Sequence, residues 1–144
     1  MQPKGISRSD GKRPDGMILF PWSNGKSLIW DVTIRDTLAA SYINESSKKS
    51  RSIADNAERY KHNHYLFLKE NYIFTPLAFE TLSCMGPETN QFIGKLGSLM
   101  RIASGETRSK DYLLQKISIA IQRGNATCIL ATLGSNRIDE FYLL

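Results

Sequence analysis

The stretch RPDGMILFPWSNGKSLIWDVTI, Arg13 to Ile34, decides the fold of this chain. Met17 to Trp22 is a short apolar run with aromatics and reads as a strand. Ser23-Asn24-Gly25 is a strong reverse-turn signal. Lys26 to Ile34 is nearly continuous apolar sequence interrupted by Asp31 and Thr33, which predicts a central strand buried on both faces. Asp31 is the anomaly in that run, because a buried carboxylate is costly unless it is paired or holds a metal. A second acid, Asp15, enters the first strand behind Pro14.

Whether the two aspartates meet depends on the turn. With Asn24-Gly25 as a two-residue turn, Asp15 falls opposite Ile34 and Asp31 opposite Ile18, so the acids point to opposite sides of the sheet. With Ser23-Asn24-Gly25 as a three-residue loop closed by a glycine bulge, Asp15 falls opposite Thr33 and Asp31 opposite Met17. The acids then share a face. Glycine in third place suits this second turn, and a shared site requires it or an equivalent bulge near Pro14.

Outward from the hairpin, Ser52 is placed to cap a helix over about 53–69, with the stripe Ile53, Ala57, Tyr60, His64 and Leu68. Tyr72 to Leu82 reads as a strand, with Pro76 at an edge or bulge because it has no N–H to donate. Gly86-Pro87-Glu88 opens a second helix, whose core face is Phe92, Ile93, Leu96, Leu99, Met100 and Ala103 and which ends at Gly105. Ser109 caps a third, with Leu113, Leu114, Ile117 and Ile121 as its stripe and a break near Gly124-Asn125 before a last apolar turn. The order predicts an α/β domain: a small mixed sheet with an N-terminal β-hairpin, covered by helices. Its parts are a lead-in over 1–13, a sheet-plus-helix core over 14–82 and C-terminal helices over 86–133, in a single domain of 144 residues.

Composition narrows the function classes. Hydrophobic content of 41% suffices for a core, and the net charge of +5 favours polyanionic partners such as nucleic acid or an anionic membrane surface. Cys84 and Cys128 lack metal-ligand spacing and read as two buried thiols. His62 and His64, two apart on a helix, diverge and read as helix surface. The N-terminus has no apolar segment of secretory type and no run is long enough to span a bilayer, so the expectation is an intracellular protein, nuclear or cytoplasmic, without a membrane partner.

Two carboxylates on adjacent strands suit Mg²⁺, which takes hard oxygen ligands, often one or two carboxylates plus water and phosphate oxygens. Asp15 and Asp31 are the candidate metal ligands. On the helix, Lys61 could reach a phosphate and Glu58 could add a third carboxylate, the alternative being a solvated charge pair. Lys12, Arg13, Lys48, Lys49 and Arg51 flank this region and would hold phosphates without reading sequence. Asp36 before Thr37 reads as a strand-end cap, and Glu80 is left undecided between solvent and site.

Pro14-Asp15 followed by Asp31-Val32-Thr33 resembles the Pro-Asp…(Asp/Glu)-x-Lys signature of the PD-(D/E)XK nucleases, a superfamily of restriction enzymes and of the restriction-like endonucleases of some non-LTR retrotransposons. Gly11 to Asp15, Trp30 to Leu38, Phe79 to Leu82 and Gln115 to Ala126 also resemble uncharacterised chains found beside reverse-transcriptase sequences. The resemblance implies a restriction-endonuclease-like core and Mg²⁺-dependent cleavage of DNA, with Asp15, Asp31 and Lys61 in the catalytic roles. This chain departs from the pattern at Thr33, where the signature has lysine, and in having little sequence ahead of the first strand. The second departure implies an N-terminally truncated core, as in a fragment of a longer polypeptide or a decayed copy. Two other classes stand beside the nuclease: a catalytically inactive nucleic-acid-binding module of the same fold, and a protein-interaction domain using the apolar faces of the C-terminal helices.

Overall fold

A computed structural model describes residues 11, 13–39 and 52–133. Strand β1 (Gly16–Ser23) and strand β2 (Lys26–Arg35) form the hairpin, helix α1 (Ser52–His64) follows, and after a single 3₁₀ turn (Leu66–Leu68) comes strand β3 (Ile73–Glu80). Helices α2 (Pro87–Ser104) and α3 (Ser109–Thr132) complete the described chain. The sheet is mixed, in the order β1-β2-β3, with β1 antiparallel and β3 parallel to β2. The chain groups into two units, 1–96 and 97–144, with the boundary inside α2. No described helix is long and apolar enough to cross a membrane.

The turn is the two-residue form, not the three-residue loop. Asn24 and Gly25 both take positive φ, 49° and 71°, and Ser23 pairs with Lys26. That is the pattern of a type I′ turn, whose twist matches the flanking strands. Above the turn the register slips twice, between Pro21 and Ser23 and between Met17 and Pro21. By Gly16, which pairs with Trp30, β1 has advanced seven residues from Ser23 while β2 has advanced four from Lys26. Three extra residues in β1 are an odd number, so the shift reverses the face that each β1 residue presents. Pro21 sits within this irregular stretch of an outer strand, where a missing N–H costs least. Gly16 packs under the Trp30 indole, and a Cβ there would lie 2.2 Å from a ring carbon.

Strand β2 is buried on both faces only in its first half. Leu28 and Ile29 are wholly buried, whereas Val32 and Ile34 are 42% and 52% exposed. Helix α1 covers the other face, that of Ile29, Asp31 and Thr33, which in β3 continues as Phe74, Pro76 and Ala78. Two apolar clusters join the helical segment to the sheet: Ile29, Tyr65, Leu68 and Phe74, the two middle ones from just beyond α1, and Ala54, Ala57 and Ala78. The outer edge of β3 is closed by the chain leading into α2. Glu80 N–H donates to the Cys84 carbonyl, Gly86 N–H to the Ala78 carbonyl, and Ala78 N–H to Thr89 Oγ1. The alternate N–H groups therefore face outward, and Pro76 occupies one of those outward positions, as an edge proline should.

Several local expectations change. Helix α1 stops at His64 rather than continuing to about residue 69, and the chain tightens into the 3₁₀ turn. Ser52 is the first residue of α1, and its buried hydroxyl has no hydrogen-bond partner among the described residues. In the second unit Ser109 is likewise the first helical residue, and its hydroxyl donates back to the Glu106 carbonyl instead of capping. Helix α3 runs through Gly124 and Asn125 without a break. Of the apolar stripes, Ile93 and Ile121 are buried, while Leu99 is 42% exposed. Cys84 is half-buried and Cys128 exposed, so neither is the buried thiol expected.

Candidate functional site

The register shift assembles the site. Since Gly16 pairs with Trp30, the next position places Asp15 opposite Asp31, on the face covered by α1. Asp15 is exposed, and its Oδ2 accepts a hydrogen bond of 2.7 Å from the Val32 N–H, which clamps the entry of β1 onto β2. Asp31 is 4% exposed. Its Oδ2 lies 2.6 Å from Lys61 Nζ and its Oδ1 accepts a bond of 3.3 Å from the Tyr65 hydroxyl. Lys61 comes from the last turn of α1 and Tyr65 from the residue after it, one turn on, so both project onto the sheet from one side. Lys61 and Tyr65, four residues apart, thus each meet one oxygen of Asp31. The Thr33 hydroxyl is buried without a hydrogen-bond partner among the described residues.

Tyr65 joins the elements. It is 3% exposed, and its hydroxyl also lies 2.9 Å from the Arg13 carbonyl, so one phenol oxygen touches both the lead-in to Asp15 and Asp31 itself. Burial holds the phenol well above its ordinary range, and the charge of Asp31, its hydrogen bond and the charge of Asp15 push it the same way. Tyr65 is therefore a neutral hydrogen-bond donor at any physiological pH. Helical spacing puts Tyr65 on one face with Ala54, Glu58 and Lys61, but sequence reading assigned it no role, because an aromatic at the end of a helix looks like core.

The other predicted residues lie elsewhere or outside the described residues. Glu58 is 3% exposed, but its carboxylate serves the start of α2. Its Oε1 accepts from the Thr89 N–H at 2.8 Å and the Thr89 hydroxyl at 2.6 Å, and its Oε2 from the Glu88 N–H at 3.1 Å. A carboxylate at the positive end of a helix dipole is stabilising. With both oxygens so committed, Glu58 does not act as a third ligand beside Asp15 and Asp31. Glu80 does the same for α1: it is 2% exposed, and its Oε1 accepts from the Ala54 N–H at 3.2 Å. Asp36 Oδ1 accepts from the Leu38 N–H, the turn role expected of it. His62 is not simply helix surface, since its Nε2 lies 2.5 Å from Glu88 Oε2 and its ring meets Phe74 edge-on. Of the basic residues, Arg13 is exposed beside the site, while Lys12, Lys48, Lys49 and Arg51 lie outside the described residues.

The candidate donors are two carboxylates. Among the described residues no group of three or more His, Cys, Asp or Glu side chains converges on a point. Two opposed carboxylates remain, all hard oxygen, which suits an ion that completes its shell with water and phosphate, as Mg²⁺ does, and not a fully protein-ligated centre. No protein-family model matches the chain, and comparison with curated proteins and with solved structures finds no similar protein.

Proposed function

We propose that this chain is a Mg²⁺-dependent nuclease-like domain acting on DNA phosphodiester bonds, with a restriction-endonuclease-like core related to those of mobile elements. The reading rests on one observation above the rest: the odd register shift in β1 that sets Asp15 opposite Asp31, beneath the ammonium group of Lys61. Asp15 and Asp31 would hold the ion. Magnesium, when bound, polarises a phosphate and lowers the pKa of a bound water. Lys61 supplies the cation that Thr33 lacks, from the helix rather than the strand. Tyr65 fixes the rotamer of Asp31 through Oδ1 and holds the Arg13 backbone beside it. Arg13 extends the positive surface toward the phosphate backbone.

The test is cleavage of plasmid DNA in Mg²⁺ by the parent chain and by Asp31→Asn, with circular dichroism confirming the fold of each. The expected result is a loss of at least about 100-fold in Asp31→Asn. Equal cleavage by the two proteins would refute the proposal. A second reading, a catalytically inactive nucleic-acid-binding module, is favoured by Thr33 and by the closed contact between Lys61 and Asp31. It predicts DNA binding that weakens with salt, is indifferent to EDTA and is accompanied by no cleavage.

A further inference from the structure

Three of the four oxygens of the two acids carry contacts among the described residues. Asp31 has Lys61 on Oδ2 and Tyr65 on Oδ1, and Asp15 has the Val32 N–H on Oδ2. Tyr65 is locked by burial, with its single O–H shared between Asp31 Oδ1 and the nearer Arg13 carbonyl, and the Val32 N–H belongs to the backbone of β2. Lys61 is the movable member: its side chain is 20% exposed, it sits at the end of a flexible stem, and an ammonium can exchange one anionic oxygen for another.

We infer that Lys61 is a built-in stand-in for the metal, so that binding of a divalent cation and of a DNA phosphate are positively coupled through its transfer from Asp31 to the phosphate. This deepens the nuclease reading and rests on it. With no phosphate present, a cation approaching Asp31 must displace the ammonium, and the other carboxylate beside it, Asp15, is the cation's second ligand. A phosphodiester at the site offers the ammonium another anion, and Asp31 Oδ2 becomes free. Thermodynamic linkage requires the converse: the cation must tighten DNA binding by the same factor.

The experiment is equilibrium Mn²⁺ binding to the full chain, read as free Mn²⁺ by electron paramagnetic resonance, with and without a short DNA duplex. The Asp31→Asn chain mixed with the same duplex measures what the DNA itself takes up. The parent chain is expected to bind Mn²⁺ about tenfold more tightly with DNA than without. Lys61→Met is expected to bind Mn²⁺ about tenfold more tightly than the parent in the absence of DNA, and to gain less than about threefold when DNA is added. Should Lys61→Met fail to fold, Lys61→Arg decides, because a guanidinium grips Asp31 with two N–H groups: Mn²⁺ affinity with DNA then falls about tenfold. Metal affinity indifferent to DNA in the parent, or indifferent to these substitutions, overturns the coupling. If Mn²⁺ still binds in that case, the nuclease reading survives; if the parent binds no Mn²⁺ under either condition, both fall.

Discussion

Removing the Lys61 ammonium tests the centre of the site without reference to function. Lys61 Nζ is 2.6 Å from an Asp31 carboxylate whose side chain is only 5% exposed. Deleting one partner of a buried ion pair costs about 3–5 kcal/mol, because the charge left behind stays out of water. Here Lys61 is 20% exposed and Tyr65 still donates to Asp31 Oδ1, so Lys61→Met should lie at the low end, about 3 kcal/mol. Asp31→Asn should cost less, about 1.5 kcal/mol, since Lys61 can turn to solvent and the amide oxygen still accepts from Tyr65. The double variant Lys61→Met/Asp31→Asn removes both charges together and should cost about 2 kcal/mol, less than Lys61→Met alone. The two single losses then fail to add by about 2–3 kcal/mol. Urea denaturation followed by circular dichroism reads this as a midpoint about 2 M lower for Lys61→Met, partly restored by the second substitution. Additivity within about 0.5 kcal/mol, or a Lys61→Met cost below about 1 kcal/mol, would show that the pair is a solvated contact and would refute the reasoning.

Tyr65→Phe removes the single O–H shared between the Arg13 carbonyl and Asp31 and should cost about 2 kcal/mol at neutral pH. Its pH dependence carries a sign: the folded phenol is held neutral, so stability from this group is complete below the ordinary tyrosine pKa of about 10 and declines as pH rises above it, when the unfolded chain ionises first. Tyr65→Phe lacks that decline, so urea midpoints of the two proteins should converge between about pH 9 and pH 11; parallel curves would exclude the effect. Glu58→Ala leaves the Glu88 and Thr89 N–H groups and the Thr89 hydroxyl without their acceptor and should cost about 3 kcal/mol, with Glu58→Gln nearer 1 kcal/mol. Amide exchange at Glu88 and Thr89 in Glu58→Ala should accelerate relative to the rest of α2, and unchanged exchange there would remove the capping role.

Much of the fold is written locally in the chain. Alternating and apolar runs mark the three strands, Pro87 marks the first residue of α2, and Gly105 ends that helix with a φ of 72°. These signals are legible because a missing N–H, a positive φ or a hydrophobic period acts within a few residues. The helix starts show the limit. Ser52 and Ser109 have the right chemistry for caps, yet α1 and α2 are capped by Glu80 and Glu58, carboxylates 26 and 31 residues from the N–H groups they accept. No periodicity signals such a partner, because the choice is made by what packs against the helix end once the sheet has formed.

The site divides along the same line. Sequence alone determined the two acids, the odd place of Asp31 in an apolar run, the presence of Lys61 on a neighbouring helix and a reverse turn within Ser23-Asn24-Gly25, but not the type of that turn. Which face Asp15 takes was a matter for the tertiary structure. A two-residue turn by itself would have set the acids back to back, and slippage of three residues along β1 reversed that. Strand register is the sum of every bulge between the turn and the site, here the two shifts between Met17 and Ser23, and the register they set brings Gly16 beneath Trp30. Such packing leaves no periodic trace in the chain. Tyr65 was hidden for the same reason: its two acceptors, Arg13 and Asp31, lie 52 and 34 residues away, and only folding brings them to one hydroxyl.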